Sequence, residues 1–291
     1  MEKIPVSVII PVKNEEKNLS QCLSLLKAFS EVIVVDSHST DSTPQIVREY
    51  GYRLIDFSWN GQFPKKRNWV LRNIPLQNTW VLFLDADESV TVDFVACVRK
   101  KIAQTDCCGF WIYYNDHFMG RQLKHGVKMR KLALFRKDKG EYEYIDEHAW
   151  SHLDMEIHEH PIIDGKVEVL PVPLIHNDYK GLEHYIAKHN AYSTWEVHRF
   201  FQLIKSKVHL TFRQKVKYCL LDSWFLAPMY FFYAYFLRLG LLDGKAGLLF
   251  SLYKMQYFFQ MKSKIIEFKR MEVANKNKTD GYKSFNNYSG I

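Results

Sequence analysis

Trp80-Val81-Leu82-Phe83-Leu84-Asp85-Ala86-Asp87-Glu88 is an apolar run that stops abruptly in three acids. An unbroken apolar stretch of this length, without polar alternation, predicts a strand buried on both faces. Asp85 and Asp87 then lie on a tight turn at its carboxyl end, pointing to one side. Carboxylates so close repel each other, and a hard divalent cation such as Mg²⁺ or Mn²⁺ between them relieves the repulsion. The same turn also suits a helix N-terminus, with Asp87 or Glu88 as the cap. Taken alone, the turn leaves both readings open.

Two similar strands precede it. Val6-Ser7-Val8-Ile9-Ile10 is rich in β-branched residues and ends at Pro11, and Val32-Ile33-Val34-Val35 runs into Asp36. Between them, Asn14 is expected to cap a helix in which Leu19, Cys22, Leu23, Leu26 and Phe29 recur at helical spacing. Thr43-Pro44 opens a second helix that Gly51 closes, and a third is expected over Lys65 to Asn73. Continuous apolar strands alternating with amphipathic helices predict an α/β fold with a mostly parallel sheet covered on both faces. Ligands of such sheets bind beyond the carboxyl ends of the strands. Lys13-Asn14-Glu15, Asp36 to Asp41 and Asp85/Asp87 all stand at such ends, so three polar clusters converge on one crevice.

Of the 291 residues, 47% are hydrophobic and 25% charged, which excludes disorder for the bulk of the chain. The five cysteines are odd in number and lack C-x-x-C spacing, which fits a reducing compartment rather than a disulfide framework or zinc ribbon. The apolar run near Met1 is too short for a secretory signal. Charge is uneven: residues 201–270 carry twelve basic residues against three acids, leaving the rest of the chain close to neutral. The same region holds Trp224-Phe225-Leu226-Ala227-Pro228-Met229-Tyr230-Phe231-Phe232-Tyr233-Ala234-Tyr235-Phe236-Leu237, too short to span a bilayer and interrupted by Pro228. A second apolar helix is expected over Ala246 to Met261. Aromatic rings flanked by Lys and Arg suit an anionic membrane surface, where rings anchor and cations meet headgroups. A buried helix pair beneath a solvated basic surface is the alternative. No nucleic-acid-binding signature accompanies the charge, so nucleic acid is not expected as a partner.

Ser7-Val8-Ile9-Ile10-Pro11-Val12-Lys13-Asn14-Glu15-Glu16, Val34-Val35-Asp36-Ser37-His38-Ser39-Thr40-Asp41-Ser42-Thr43, Lys66-Arg67-Asn68 and Leu84-Asp85-Ala86-Asp87-Glu88 together resemble the family 2 glycosyltransferases of the GT-A fold. More faintly, Arg130 to Phe135, Ile157-His158-Glu159 and Arg238 to Gly244 resemble the branch that builds bacterial lipopolysaccharide core and surface polysaccharides. The resemblance implies a Rossmann-like sheet and a nucleotide-sugar donor. Pro11, Lys13, Glu15 and Asp36 would line the nucleoside pocket, and Arg67 would approach the nucleotide or its diphosphate. Asp85 would contact ribose or donor sugar, and Asp87 would ligate the metal. Many members carry a second aspartate after the position of Asp36; Ser37 stands there in this chain, so a UDP-sugar is favoured without being fixed.

In that fold the catalytic base lies in a short acidic motif after the D-x-D turn, and a later histidine often completes the metal site. The resemblance thereby implies Glu159 as base, with Asp146 or Glu147 as runner-up, and His176 as metal ligand. His158-Glu159 is followed by His160-Pro161-Ile162, which lacks the H-E-x-x-H spacing of zinc hydrolases. Tyr113, Tyr114, Asn115 and His117 follow a predicted strand and fit either a sugar-stacking surface or the core. The expected organisation is a GT-A domain over residues 1–200, a basic aromatic helical membrane-associating region over 201–270, and a disordered tail over 271–291. The expected activity is metal-dependent, inverting transfer of a hexose-type sugar to a lipid-linked glycan at the cytoplasmic face of the plasma membrane. The alternatives are synthesis of a polyprenyl-phosphate sugar and a catalytically silent nucleotide-sugar-binding partner.

Overall fold

The computed structural model describes residues 2–147, 150–151, 153–154, 161–205 and 212–286. They fall into two compact units that divide between Glu183 and His184. In the first, β1 (Ile4–Val12) lies between β2 (Phe29–Asp36) and β4 (Trp80–Phe83), parallel to both, and β3 (Arg53–Asp56) extends β2 in parallel. Alternate residues of these strands feed two different cores. Val6, Val8 and Ile10 of β1 join Leu82 and Leu84 on one face, while Ile9, Ile33, Val35, Val81 and Phe83 pack on the other. With a core on each face, both parities of residue are mostly apolar, and the polar exception in β1, Ser7, is buried and donates its hydroxyl to Glu31.

The sheet continues past β4 through β8 (Arg130–Arg136), β6 (Gly109–Phe118), β11 (Val167–His176) and β5 (Glu88–Ser89). The β6–β11 ladder is parallel, whereas β8 is antiparallel to both β4 and β6, and β5 is antiparallel to β11. A hairpin to β7 (Arg121–Gln122) follows β6, and β9 (Gly140–Tyr142) pairs with β10 (Pro161–Ile163) in a separate ribbon. Helices α1 (Glu16–Leu23), α2 (Thr43–Glu49) and α3 (Lys66–Asn73) connect the parallel strands, and α4 (Val92–Ala103) follows β5.

Two capping expectations are corrected. Asn14 does not cap α1: its φ is +55°, a left-handed conformation that Asn tolerates, and its side-chain oxygen accepts from Thr40 N at 2.8 Å instead. The acidic turn does not start a helix either. It leads into β5, and α4 is capped by Thr91, whose hydroxyl accepts from Phe94 N at 3.1 Å.

The second unit is helical. Helix α5 (Gly181–Lys205) enters it, followed by α6 (Phe212–Leu221), α7 (Leu226–Phe232), a π-helical turn at Tyr233–Leu237, a 3₁₀ turn at Gly240–Asp243 and α8 (Gly244–Asn286). Val197, Phe200, Leu221, Tyr257, Met261 and Ile265 form its core. Pro228 starts a helix rather than breaking one: it lies in the first turn of α7, where no N–H is needed. Gly247 permits a close approach, because a Cβ there would stand 2.1 Å from Gly240 O. The α8 backbone runs to Asn286, through most of the stretch whose composition suggests a disordered tail. No helix among the described residues is long and apolar enough to cross a membrane.

Candidate active site

The loops after β1 and β2 are tied together by their own side chains. Asn14 N donates to Ser39 Oγ at 2.7 Å, Glu15 N to Thr43 Oγ1 at 2.7 Å and Glu16 N to an Asp41 carboxylate oxygen at 3.1 Å. Buried Asp36 accepts from Ser39 N at 3.0 Å and from Ser39 Oγ at 2.5 Å. Pro11 is buried in register with Val35, while Lys13 is exposed at the rim. Glu15 accepts from Lys180 Nζ at 2.5 Å and Asn18 Nδ2 at 2.9 Å; burial pushes its pKa up, against the pull of Lys180. Glu15, Asp36 and Pro11 are thereby held on one rigid ledge at the strand ends.

Helix α3 supplies buried cations to the same ledge. Lys66 Nζ donates to Val12 O at 3.0 Å and lies 3.3 Å from Asp154. Arg67 meets Asp85 Oδ1 at 2.7 Å, its guanidinium 5.4 Å from the centre of the Tyr142 ring. Asn68 clamps the backbone of Tyr142, donating to its oxygen and accepting from its N–H, both at 2.9 Å. Ser37, at the position where many of the resembled sequences have an aspartate, donates its hydroxyl to Asp154. A carboxylate is thus returned to the end of β2 from far along the chain.

The acidic turn splits into two functions. Glu88 is buried: Tyr114 Oη donates to it at 2.5 Å, Asp85 N at 3.0 Å, and Lys131 forms a short ion pair with it. Lys131 also lies 3.4 Å from Asp85. Burial raises the pKa of Glu88, with Lys131 opposing the shift. Glu88 therefore organises the turn from inside and leaves Asp85 and Asp87 facing the crevice. Antiparallel pairing of β5 with β11 sets His176 opposite Glu88 in register. His176 Nε2 lies 3.6 Å from Asp87 Oδ2, and its Nδ1 lies 3.0 Å from Asp116 Oδ1. Burial alone would lower the imidazole's pKa, but the Asp87 charge and the Asp116 hydrogen bond outweigh it and raise the value to about 10.

The donor set fits a divalent cation. Carboxylate oxygens of Asp85, Asp87 and Glu88 come within 4.8 Å of one another. A carboxylate on the outer imidazole nitrogen, with the inner nitrogen turned to a second carboxylate, is the usual support of a metal-ligating histidine. Asp87 and His176 are the pair best placed to hold such an ion.

The profile of Glycosyl transferase family 2 matches residues 7–152, the half of the chain that carries this ledge and turn. The chain belongs to glycosyl transferase family 2. The lipopolysaccharide core biosynthesis glycosyltransferase LpsC of Rhizobium meliloti (strain 1021) is 26% identical over 275 residues, covering 91% of this chain and 93% of the relative. Among solved structures, S. aureus TarS residues 1–349 aligns with a TM-score of 0.37 at 15% identity, over 91% of this chain and 92% of that one. Glucosyl-3-phosphoglycerate synthase of Mycobacterium tuberculosis, crystallised with Mn²⁺ and UDP, aligns with a TM-score of 0.31 at 21% identity, over 39% of this chain and 44% of that one.

In this glycosyltransferase, the structure brings together Asp85, Asp87, Arg67 and His176, with Glu15 and Asp36 on the adjoining ledge. Glu159 lies outside the described residues. Glu147 pairs with Lys65, with both side chains about 5% exposed or less. Asp146 is exposed. Of the rings after Ile112, Tyr114 is committed to Glu88, while Tyr113 is exposed beneath the Arg130 guanidinium. Sequence reasoning missed Lys131 and Asp116. A polar residue opening the apolar run Leu132 to Phe135 was the available signal for the first. Parity within β6 was the signal for the second, since Asp116 shares a face with Tyr114.

Proposed function

We propose that this chain transfers a hexose-type sugar, with inversion, from a nucleotide-diphosphate donor to a lipid-linked glycan of the lipopolysaccharide core or surface-polysaccharide class. The observation that carries the reading is the convergence of Asp87 and His176, with His176 backed by Asp116. Mg²⁺ or Mn²⁺ held by Asp87 and His176 would neutralise charge building on the departing diphosphate. Arg67 and Lys131 keep Asp85 oriented toward ribose or donor sugar, and the ledge of Pro11, Lys13, Glu15 and Asp36 receives the nucleoside. Asp154, presented by Ser37, offers an acceptor for a base N–H, which supports uridine. Glu159 takes the proton from the acceptor hydroxyl.

The acceptor class rests on the similarity to LpsC over nearly the whole chain and on the surface of the second unit. Trp224, Phe225, Met229, Phe232, Phe236, Leu237, Leu239 and Leu242 are all exposed, Phe225 at 71% and Leu237 at 64%. Exposed Arg238 and Lys245 flank the last of them, whereas Lys217, Lys262, Lys264 and Lys269 are turned to protein partners. An exposed apolar surface with these two cations beside its end supports a peripheral site on the cytoplasmic face of an anionic membrane, with the first unit as catalytic domain. The test is transfer from a panel of UDP-sugars to a truncated lipopolysaccharide-core acceptor in vesicles. Asp87→Asn is expected to abolish transfer with the fold intact; full transfer by that variant would overturn the metal assignment.

A further inference from the structure

The sheet of the first unit exposes part of one face. Phe110, Ile112 and Tyr114 of β6 join the core that also holds Phe94 and Val98 of α4. Trp111 and Tyr113, of the other parity, therefore point to the opposite face. The β9–β10 ribbon lies against that face at the start of β6, where a Cβ on Gly109 would stand 3.5 Å from Ile163. Further along, Tyr113 is exposed, and so is Val169, which β11 places in register with Trp111. Arg130 opposes Tyr113 on β8, and its guanidinium lies 4.6 Å from the centre of the Trp111 ring and 5.8 Å from that of Tyr113. The rings steady the planar fork, while its N–H groups meet no carboxylate among the described residues.

Charge around Arg130 has one sign. Residues 117–137 hold seven Lys and Arg and no Asp or Glu. The fold employs four of the seven: Lys131 on Glu88 and Asp85, Arg136 on Asp138, and Lys128 and Lys137 on the backbone oxygens of Leu123 and Leu76. Position gives Arg130 a use. Strand β8 is antiparallel to β4, with Leu134 opposite Leu82, so its first residues stand at the carboxyl end of β4, where Lys131 reaches Asp85 at 3.4 Å. Arg130 is one residue nearer that edge, on the other side of the strand from Lys131. An acceptor hydroxyl has to reach the donor sugar beside Asp85, so the groups of the acceptor next to that hydroxyl lie along this edge. A guanidinium fork on an aromatic floor suits a sugar that carries an acid: two parallel N–H bonds hold the anion, and the C–H face of the ring rests on Tyr113.

We infer that Arg130, seated on Trp111 and Tyr113, is an anion subsite that holds a carboxylate or phosphate group of the acceptor glycan and so selects acidic over neutral acceptors. The inference rests on the transferase reading for the glycan, while binding of the acid can be measured without any transfer.

The experiment is a saturation-transfer-difference NMR titration of the full chain at low salt, alone and with excess UDP and Mg²⁺. The probes are methyl glucopyranosiduronic acid and glucose 6-phosphate, with neutral methyl glucopyranoside as the control. At least one acid is expected to bind about fivefold more tightly than the neutral sugar, the upper end of what an exposed ion pair contributes, and UDP is expected not to displace it. Arg130→Gln, at an exposed position, should remove that preference with an unchanged circular-dichroism spectrum. Arg121→Gln makes the same charge change opposite Phe118, five residues along β6 from Tyr113 and so roughly 17 Å away, beyond the screening length; it should leave the preference intact. The inference is overturned if the acids bind no better than the neutral sugar, if Arg130→Gln binds them as wild type does, if Arg121→Gln weakens them as much, or if UDP displaces them. It is also overturned if no acid binds while Arg130→Gln reduces sedimentation with phosphatidylglycerol vesicles, since the guanidinium would then meet lipid phosphate. Transfer by wild type with no acid bound would defeat this inference and leave the transferase reading standing. Acid binding that depends on Arg130, in a chain that transfers nothing, would do the reverse.

Discussion

Replacing Lys131 by Met should destabilise the first unit more than any other single change at the acidic turn. The ammonium is the counter-charge of Glu88, whose side chain is 1% exposed, and it also reaches Asp85 at 3.4 Å. Methionine keeps most of the volume of lysine and removes the charge, leaving a buried carboxylate whose remaining partners are Tyr114 Oη and Asp85 N. Breaking a buried ion pair from one side costs about 3–5 kcal/mol. In a folding unit of this size that lowers the melting temperature by roughly 6 to 20 °C at neutral pH. The effect has a defined pH dependence. The pKa of Glu88 is already raised by burial, and loss of Lys131 raises it further. The native variant then binds a proton that its unfolded chain releases above about pH 4.3, so the variant loses stability relative to wild type as pH rises. Below that pH both states hold the proton and the deficit shrinks. Thermal unfolding followed by circular dichroism between pH 4.5 and 7.5 measures this directly, and Lys131→Met/Glu88→Gln should recover most of the loss. A drop under 3 °C at pH 7.5, or a deficit that grows toward low pH, would refute the assignment of Glu88 as a buried carboxylate held by Lys131.

Three further outcomes follow from the same geometry. Asp116→Asn should leave the fold intact and weaken Mn²⁺ binding about 10- to 100-fold by calorimetry, since it removes the carboxylate that orients His176; unchanged affinity would separate Asp116 from the site. Glu159→Gln should retain donor binding and lose transfer in a single-turnover assay, and normal transfer would move the base elsewhere. Phe225→Ser with Leu237→Ser removes two exposed apolar side chains, each contributing roughly 1.5 kcal/mol or more if buried in lipid. Sedimentation with phosphatidylglycerol vesicles should then show partitioning reduced on the order of 100-fold, and an unaltered bound fraction would contradict membrane docking.

Much of the first unit was legible because its information is local. Strands β1, β2 and β4 announce themselves as largely apolar runs, since each alternates between two cores, and Asp36 and Asp85 mark the carboxyl ends at which those runs stop. What escaped depends on pairings between distant segments. Nothing around Lys131 shows that β8 will lie antiparallel to β4, with Leu134 opposite Leu82, and so carry an ammonium to Glu88. Nothing around Ser89 shows that two residues will pair with β11 and draw His176 to Asp87. Asn14 was misread for the same reason: its side chain satisfies Thr40, 26 residues away, rather than the helix beside it. In the second unit the excess of charge was legible, but its use was not. Lys262 and Lys269 both turn to Asp222, at 2.7 and 2.6 Å, and so are taken from the basic surface that the sequence suggests.

The most direct test of the donor and metal assignment is a thermal-shift comparison of UDP, GDP, CDP and their sugars, with and without Mn²⁺, on wild type and Asp87→Asn. A ligand at 100 times its dissociation constant adds about 2.7 kcal/mol, which corresponds to roughly 5 to 11 °C for a unit of this size. A Mn²⁺-dependent rise with a uridine nucleotide in wild type, absent in Asp87→Asn, is the predicted result. An equal rise in both proteins, or no rise with any nucleotide, would contradict the account.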